Sequence, residues 1–149
     1  MALVIEGEEH IAAPVEKVWE ALNDPDILKE AIPGCQSLEK NSATEMAATV
    51  VLKIGPIKAT FNGEVTLKNL KPPHSYTIQG EGKGGIAGFA KGGADVTLTA
   101  DGPNATVLKY AAKAEVGGKI AQLGSRLIQS TSKKLAGQFF STFGEKVGA

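Results

Sequence analysis

Apolar and polar positions recur with a definite period over most of this chain, and the period changes three times. In residues 3–11, Leu3, Ile5 and Ile11 fall on one side and Glu6, Glu8 and His10 on the other, which predicts a half-exposed strand. Ala13-Pro14 then opens a short helix, with proline at the first helical position and Val15, Val18, Trp19 and Leu22 as its apolar stripe. Asn23-Asp24-Pro25 repeats the device and starts a second short helix carrying Ile27, Leu28 and Ala31, which Pro33-Gly34 stops.

From residue 36 to 115 the alternation is that of strands. Met46, Ala48, Val50 and Leu52 form one series, Phe61, Gly63, Val65 and Leu67 a second, and Tyr76, Ile78, Gly80 and Gly82 a third. Val96, Leu98 and Ala100 follow, then Thr106, Leu108, Tyr110, Ala112 and Ala114; Gly55-Pro56, Lys71-Pro72-Pro73-His74 and Asp101-Gly102-Pro103-Asn104 are the turns. Short strands joined by tight turns predict an antiparallel meander. Over 119–147 the period returns to helical, with Ile120, Leu123, Leu127, Leu135, Phe139 and Phe143 in the stripe and Gly117-Gly118 as the hinge before it. A sheet with one apolar face and a helix with one apolar stripe must cover each other. The reading is an α+β fold: a curved antiparallel sheet of about seven strands around a long C-terminal helix, with two short helices after the first strand.

The length, 149 residues, predicts one domain over 1–149. Sixteen basic and 16 acidic residues cancel, which removes the bulk electrostatic basis for nucleic-acid binding. The cancellation conceals an asymmetry. Residues 1–50 hold ten acids and three lysines, whereas residues 51–149 hold thirteen bases and six acids. Folded, this predicts a dipolar surface whose basic side faces anionic lipid or an acidic partner. Lys119, Arg126, Lys133 and Lys134 on the last helix are the candidate residues, and a merely solvated helix face is the plain alternative. The N-terminus turns acidic at once and no apolar run approaches membrane-spanning length, so a cytoplasmic protein is expected.

Small residues are the informative anomaly. Ala48, Gly63, Gly80, Gly82, Ala112 and Ala114 alternate in phase with larger apolar residues on the inward sheet face. Either they mark bends and bulges, or they leave an internal cavity. Chemistry is sparse by comparison. Gly80-Glu81-Gly82-Lys83-Gly84-Gly85 matches a dinucleotide-binding pattern in letters, but Ile86-Ala87-Gly88-Phe89 after it is no helix start. His10 and His74 have no nucleophile or carboxylate at a recognisable spacing, and the single Cys35 excludes a disulfide framework and a cysteine zinc site. No catalytic residue and no metal site are assigned. Phe139 and Phe143 are read as core, and Phe140 as a residue meeting a ligand or a partner.

The run Ile11-Ala12-Ala13-Pro14-Val15-Glu16-Lys17-Val18-Trp19, then Leu22-Asn23-Asp24-Pro25, is similar to the N-terminus of the START/birch-pollen-allergen (SRPBCC) superfamily. The element order resembles its helix-grip fold. Further on, Ile32-Pro33-Gly34-Cys35-Gln36-Ser37-Leu38-Glu39, Gly85-Ile86-Ala87-Gly88-Phe89 and Val116-Gly117-Gly118-Lys119-Ile120-Ala121-Gln122-Leu123-Gly124-Ser125-Arg126-Leu127-Ile128 resemble the carbon monoxide dehydrogenase G-subunit (CoxG) family, as does Lys134-Leu135-Ala136-Gly137-Gln138-Phe139-Phe140. The resemblance implies a non-catalytic accessory protein. It would bind a hydrophobic small molecule, a respiratory quinone or lipid, without a tightly required cofactor, and serve a molybdenum-containing carbon monoxide dehydrogenase-type enzyme at the inner face of the membrane. Many relatives carry a further C-terminal segment suited to membrane attachment; this sequence ends at Ala149, so transient membrane contact or quinone shuttling is the expected form. The expected cavity wall is Phe61, Gly63, Gly82, Ile86, Phe89, Leu98, Ala112, Ile120, Leu123, Leu127 and Phe139, with residues 84–93 as an entrance loop. A ligand-free interaction module and a cyclase-type enzyme are the other readings.

Overall fold

The computed structural model of this protein describes residues 1–148. Strand β1 (Ala2–Ile11) leads into helices α1 (Val15–Leu22) and α2 (Pro25–Ala31). Asp24 caps α2 by accepting the Asp26 backbone N–H at 2.9 Å, with Pro25 at the first position. Strands β2 (Cys35–Lys40), β3 (Glu45–Ile54), β4 (Ile57–Lys71), β5 (Ser75–Lys83), β6 (Phe89–Ala100) and β7 (Thr106–Gly117) follow, and helix α3 (Ser125–Gly148) comes last. The strands form one antiparallel sheet in the order β1-β7-β6-β5-β4-β3-β2. Every neighbouring pair from β2 to β7 is consecutive in sequence, and the β1–β7 pairing brings the start of the chain to the end of the meander.

One expectation is corrected. The last helix begins at Ser125, because Gly118 and Gly124 have φ of +82° and +95°, which the α-helical ladder does not admit. Residues Lys119–Leu123 between them form a 3-10 turn. A second 3-10 turn, Gly85–Ala87, joins β5 to β6, so the expected loop 84–93 is short and becomes strand at Phe89.

The interior is divided. One apolar cluster gathers α1, α2, the C-terminal part of α3 and the adjoining half of the sheet, with Val18, Leu108 and Phe143 almost wholly buried. A second cluster of Ile54, Phe61, Ala87, Val116, Ile120 and Ile128 closes the opposite end. Between them, cross-strand pairing aligns Ala48 with Gly63, Gly63 with Gly82, Gly80 with Gly92 and Ala94 with Ala112. These small residues are only partly buried. No break in strand register falls at any of them, so they do not mark bulges. A β-carbon at Gly92 would lie 2.0 Å from the Lys113 carbonyl oxygen, a close backbone approach, whereas one at Gly82 would meet nothing within 4 Å.

Candidate functional site

A cavity of about 220 Å³ lies between the sheet and the helices. Leu22, Leu28 and Ile32 line it from the short helices and the turn after them. Leu38, Met46, Ala48, Val65, Leu67, Ile78, Val96 and Leu108 line it from the sheet, and Phe139 and Phe140 close it from α3. The aromatic wall is held by its own geometry. Phe139 stacks on Phe143 at 5.6 Å and meets Phe140 edge-on at 5.0 Å, while Phe140 stacks on Tyr110 at 5.2 Å. The outer sheet face also carries a wide hollow, but it is open to solvent and bordered by the polar and charged side chains of Thr77, Gln79, Glu81, Lys91 and Asp95.

One polar group enters this lining. Tyr76 on β5 is 6% exposed, its ring edge-on to Trp19 at 5.4 Å. Its hydroxyl has no hydrogen bond to any described residue, and burial pushes the phenol far above its ordinary range, so it stays protonated and able to donate. No carboxylate, imidazole or thiol lines the cavity. His10 and His74 are exposed on the surface. Cys35 is half-buried, and burial raises its thiol pKa, an effect that Lys29 partly opposes. Among the described residues no group of His, Cys, Asp and Glu is placed to hold a metal. The lining suits binding of an apolar, flat guest bearing a hydrogen-bond acceptor.

Of the expected wall residues, Phe139 lines this cavity. Gly63, Gly82 and Ala112 face the same side of the sheet in the small-residue band beside it. Leu98 is packed into the first apolar cluster, and Phe61, Ile120 and Leu123 into or against the second. Leu127 packs over the β3–β4 hairpin, where a β-carbon on Gly55 would lie 2.9 Å from its Cδ2. Ile86 and Phe89 are corrections: both are exposed, Ile86 at the apex of a turn and Phe89 on the outward phase of β6. The loop at 84–88 caps the end closed by the second cluster and is no mouth of the cavity. Alternation assigns a face but not a height along the strand, and the cavity sits at the height of α1 and α2. The signal in the sequence that points to it is the stripe Leu22, Leu28 and Ile32 on the short helices. Phe140, expected to meet a ligand or a partner, does border the cavity.

The family model for the carbon monoxide dehydrogenase G-subunit (CoxG) matches residues 7–148. The chain belongs to the CoxG family. It is similar over nearly its whole length to a conserved protein from Geobacillus kaustophilus, at 32% identity and a TM-score of 0.91, covering 97% of this chain and 95% of that one. Structures similar to this CoxG chain at lower identity show the fold alone. A START superfamily protein from Mycobacterium smegmatis has 13% identity and a TM-score of 0.72, with 97% and 96% of the two chains covered. The ZhuI aromatase/cyclase from a Streptomyces species has 10% identity and a TM-score of 0.72, with 99% and 94% covered. The fold is the helix grip of the START superfamily. No curated protein matches the sequence.

Proposed function

We propose that this CoxG-family protein is a non-catalytic carrier that holds a respiratory quinone in its cavity and serves a molybdenum-containing carbon monoxide dehydrogenase-type enzyme. It works on the cytoplasmic side, at the periphery of the membrane from which the quinone comes. The observation that carries this reading is the single unpartnered hydroxyl of Tyr76 in an otherwise apolar lining. A quinone ring is flat, weakly polar and edged by carbonyl acceptors, and a neutral phenol donates to such an oxygen. The cavity of about 220 Å³ is smaller than the roughly 300–1,000 Å³ of sites for drug-sized ligands. It takes the ring, and an isoprenoid tail continues along the partly exposed Gly63, Gly82 and Ala112 band. The lack of any carboxylate, imidazole or thiol in the lining supports carriage over catalysis.

Organic extraction of the protein from its native host, read by mass spectrometry, is expected to release quinone at near-stoichiometric amounts. Added short-tailed naphthoquinone should bind, and Tyr76→Phe should weaken that binding about two- to tenfold, the range of one net hydrogen bond. Binding of a methylnaphthalene of the same outline should not change. Recovery of no quinone together with no binding of added quinone would overturn the carrier reading. Co-purification of the dehydrogenase with the tagged protein checks the partner.

A further inference from the structure

The end of the molecule far from α1 and α2 combines two features that the cavity does not use. The first is uncompensated positive charge. Lys53 and Lys58 stand directly opposite each other at the β3–β4 hairpin, a like-charge pairing that destabilises a sheet. Register brings Lys83 to the same end, since Asn62 on β4 pairs with it, and the pairings of Lys83 with Phe89 and of Phe89 with Gly117 lead on to the turn bearing Lys119. Arg126 follows at the start of α3. All five side chains are exposed. Among the described residues only Lys83 has a carboxylate within reach, Glu81 at 4.0 Å, while Glu115 is engaged by the Met1 ammonium at 2.7 Å. The acids Glu16, Glu20, Asp24, Asp26 and Glu30 lie on the two short helices at the other end. Elsewhere the two signs mix, since Lys146 of α3 pairs with Glu30 of α2 at that other end, so the positive excess of the later sequence is gathered only in part at this tip.

The second feature is a fixed apolar projection. Ile86 is 85% exposed, yet its neighbour Ala87 is buried in the second apolar cluster, so the turn is anchored while the isoleucine points outward. Phe89, 39% exposed, stands beside it over Gly117. The two glycine turns lock together: a β-carbon on Gly118 would lie 2.4 Å from the Gly88 Cα.

We infer that this tip docks on an anionic lipid bilayer, with Ile86 inserted at the headgroup boundary and Lys53, Lys58, Lys83, Lys119 and Arg126 against the lipid phosphates. A protein partner would need a broad contiguous apolar patch for the interface core, and Ile86 with the part-exposed Phe89, set among exposed bases, is too small to supply one. That arrangement does match a water–lipid boundary, where an apolar group enters and long basic side chains remain at headgroup level. No helix among the described residues is long and apolar enough to cross a membrane, so this contact is interfacial. The inference names the face for the peripheral contact proposed above. Its test reads vesicle binding apart from ligand binding, so either can fail alone.

The test is flotation of the full chain with vesicles of phosphatidylcholine alone or with a quarter phosphatidylglycerol, at low and physiological salt. The protein is expected to float with the anionic vesicles and not with the neutral ones, less so as salt rises. Ile86→Glu should reduce partition about tenfold, and Lys119→Glu with Arg126→Glu should reduce it at least twentyfold, about fivefold per base removed. Lys133→Glu with Lys134→Glu, about 10 Å further along α3, serves as the charge-matched control with a smaller loss. Unchanged thermal melts and unchanged naphthoquinone binding separate lipid contact from folding and from the cavity. No flotation with anionic vesicles at low salt would overturn the inference, as would wild-type partition of Ile86→Glu or a loss in the control equal to that at the tip.

Discussion

Gly7 on β1 lies directly opposite Tyr110 on β7, and a β-carbon at Gly7 would fall 2.4 Å from the Tyr110 ring. The absent side chain is what lets the ring lie across the neighbouring strand. From there it stacks on Phe140, so a position on the edge strand helps set the aromatic wall of the cavity. Gly7→Ala should destabilise the protein by about 1–3 kcal/mol, the cost of overpacking a fitted contact. In the background of Tyr110→Ala the same substitution should cost much less. Urea denaturation of the four proteins of this cycle measures the coupling, and equal costs in both backgrounds would show that the contact is not responsible.

Filling the cavity should separate binding from folding. Ala48 lines the space from β3, and Ala48→Leu adds apolar volume there. The expected outcome is a melting temperature that holds or rises with at least a tenfold loss of naphthoquinone affinity. Calorimetric titration and a thermal melt on the same sample read both.

Thr106 is the buried polar residue of the core, and its Oγ1 donates to the Ala13 carbonyl at 2.8 Å, where the chain turns from β1 into α1. Thr106→Val keeps the shape and leaves that carbonyl without its partner. A loss of about 1–3 kcal/mol is expected, and Thr106→Ser should restore most of it. Chemical denaturation compares the three.

The pH dependence follows from Tyr76. Its phenol is held above the ordinary value of 10.0 by burial, so the folded protein keeps a proton that the unfolded chain releases. Stability from this residue is complete below about pH 10 and falls as pH rises beyond it. Tyr76→Phe should flatten that alkaline decline, measured as the midpoint of urea unfolding from pH 8 to 11. An equal decline in both proteins would assign it to other groups.

Periodicity makes most of the architecture legible, because strand and helix faces are written in residue spacing. Val15, Val18 and Leu22 define α1, and Phe61, Val65 and Leu67 define the inward face of β4. The start of α3 escapes it because Ile120 and Leu123 keep a helical spacing while the backbone does not, and φ at Gly118 and Gly124 is invisible to a count of apolar positions. The site is less legible for a related reason. Phe61 and Val65 share a face of one strand, yet the first plugs the far end and the second lines the cavity. What separates them is height, set by how the 15 residues of β4 register against β3 and β5. The role of Tyr76 requires three dimensions as well, since a lack of partners is a property of surroundings.

The strand order leaves β1 and β2 as open edges, and such edges recruit strands from other molecules. Each is blunted differently. β2 has six residues, and its register with β3 shifts between Cys35 and Ser37, which spoils it as a template. β1 is longer, but Gln129 of α3 donates its side-chain amide to the Val4 carbonyl at 2.9 Å. Glu6, Glu8 and His10 along it are exposed. The helix that closes the cavity thereby also guards the sheet against edge-to-edge aggregation.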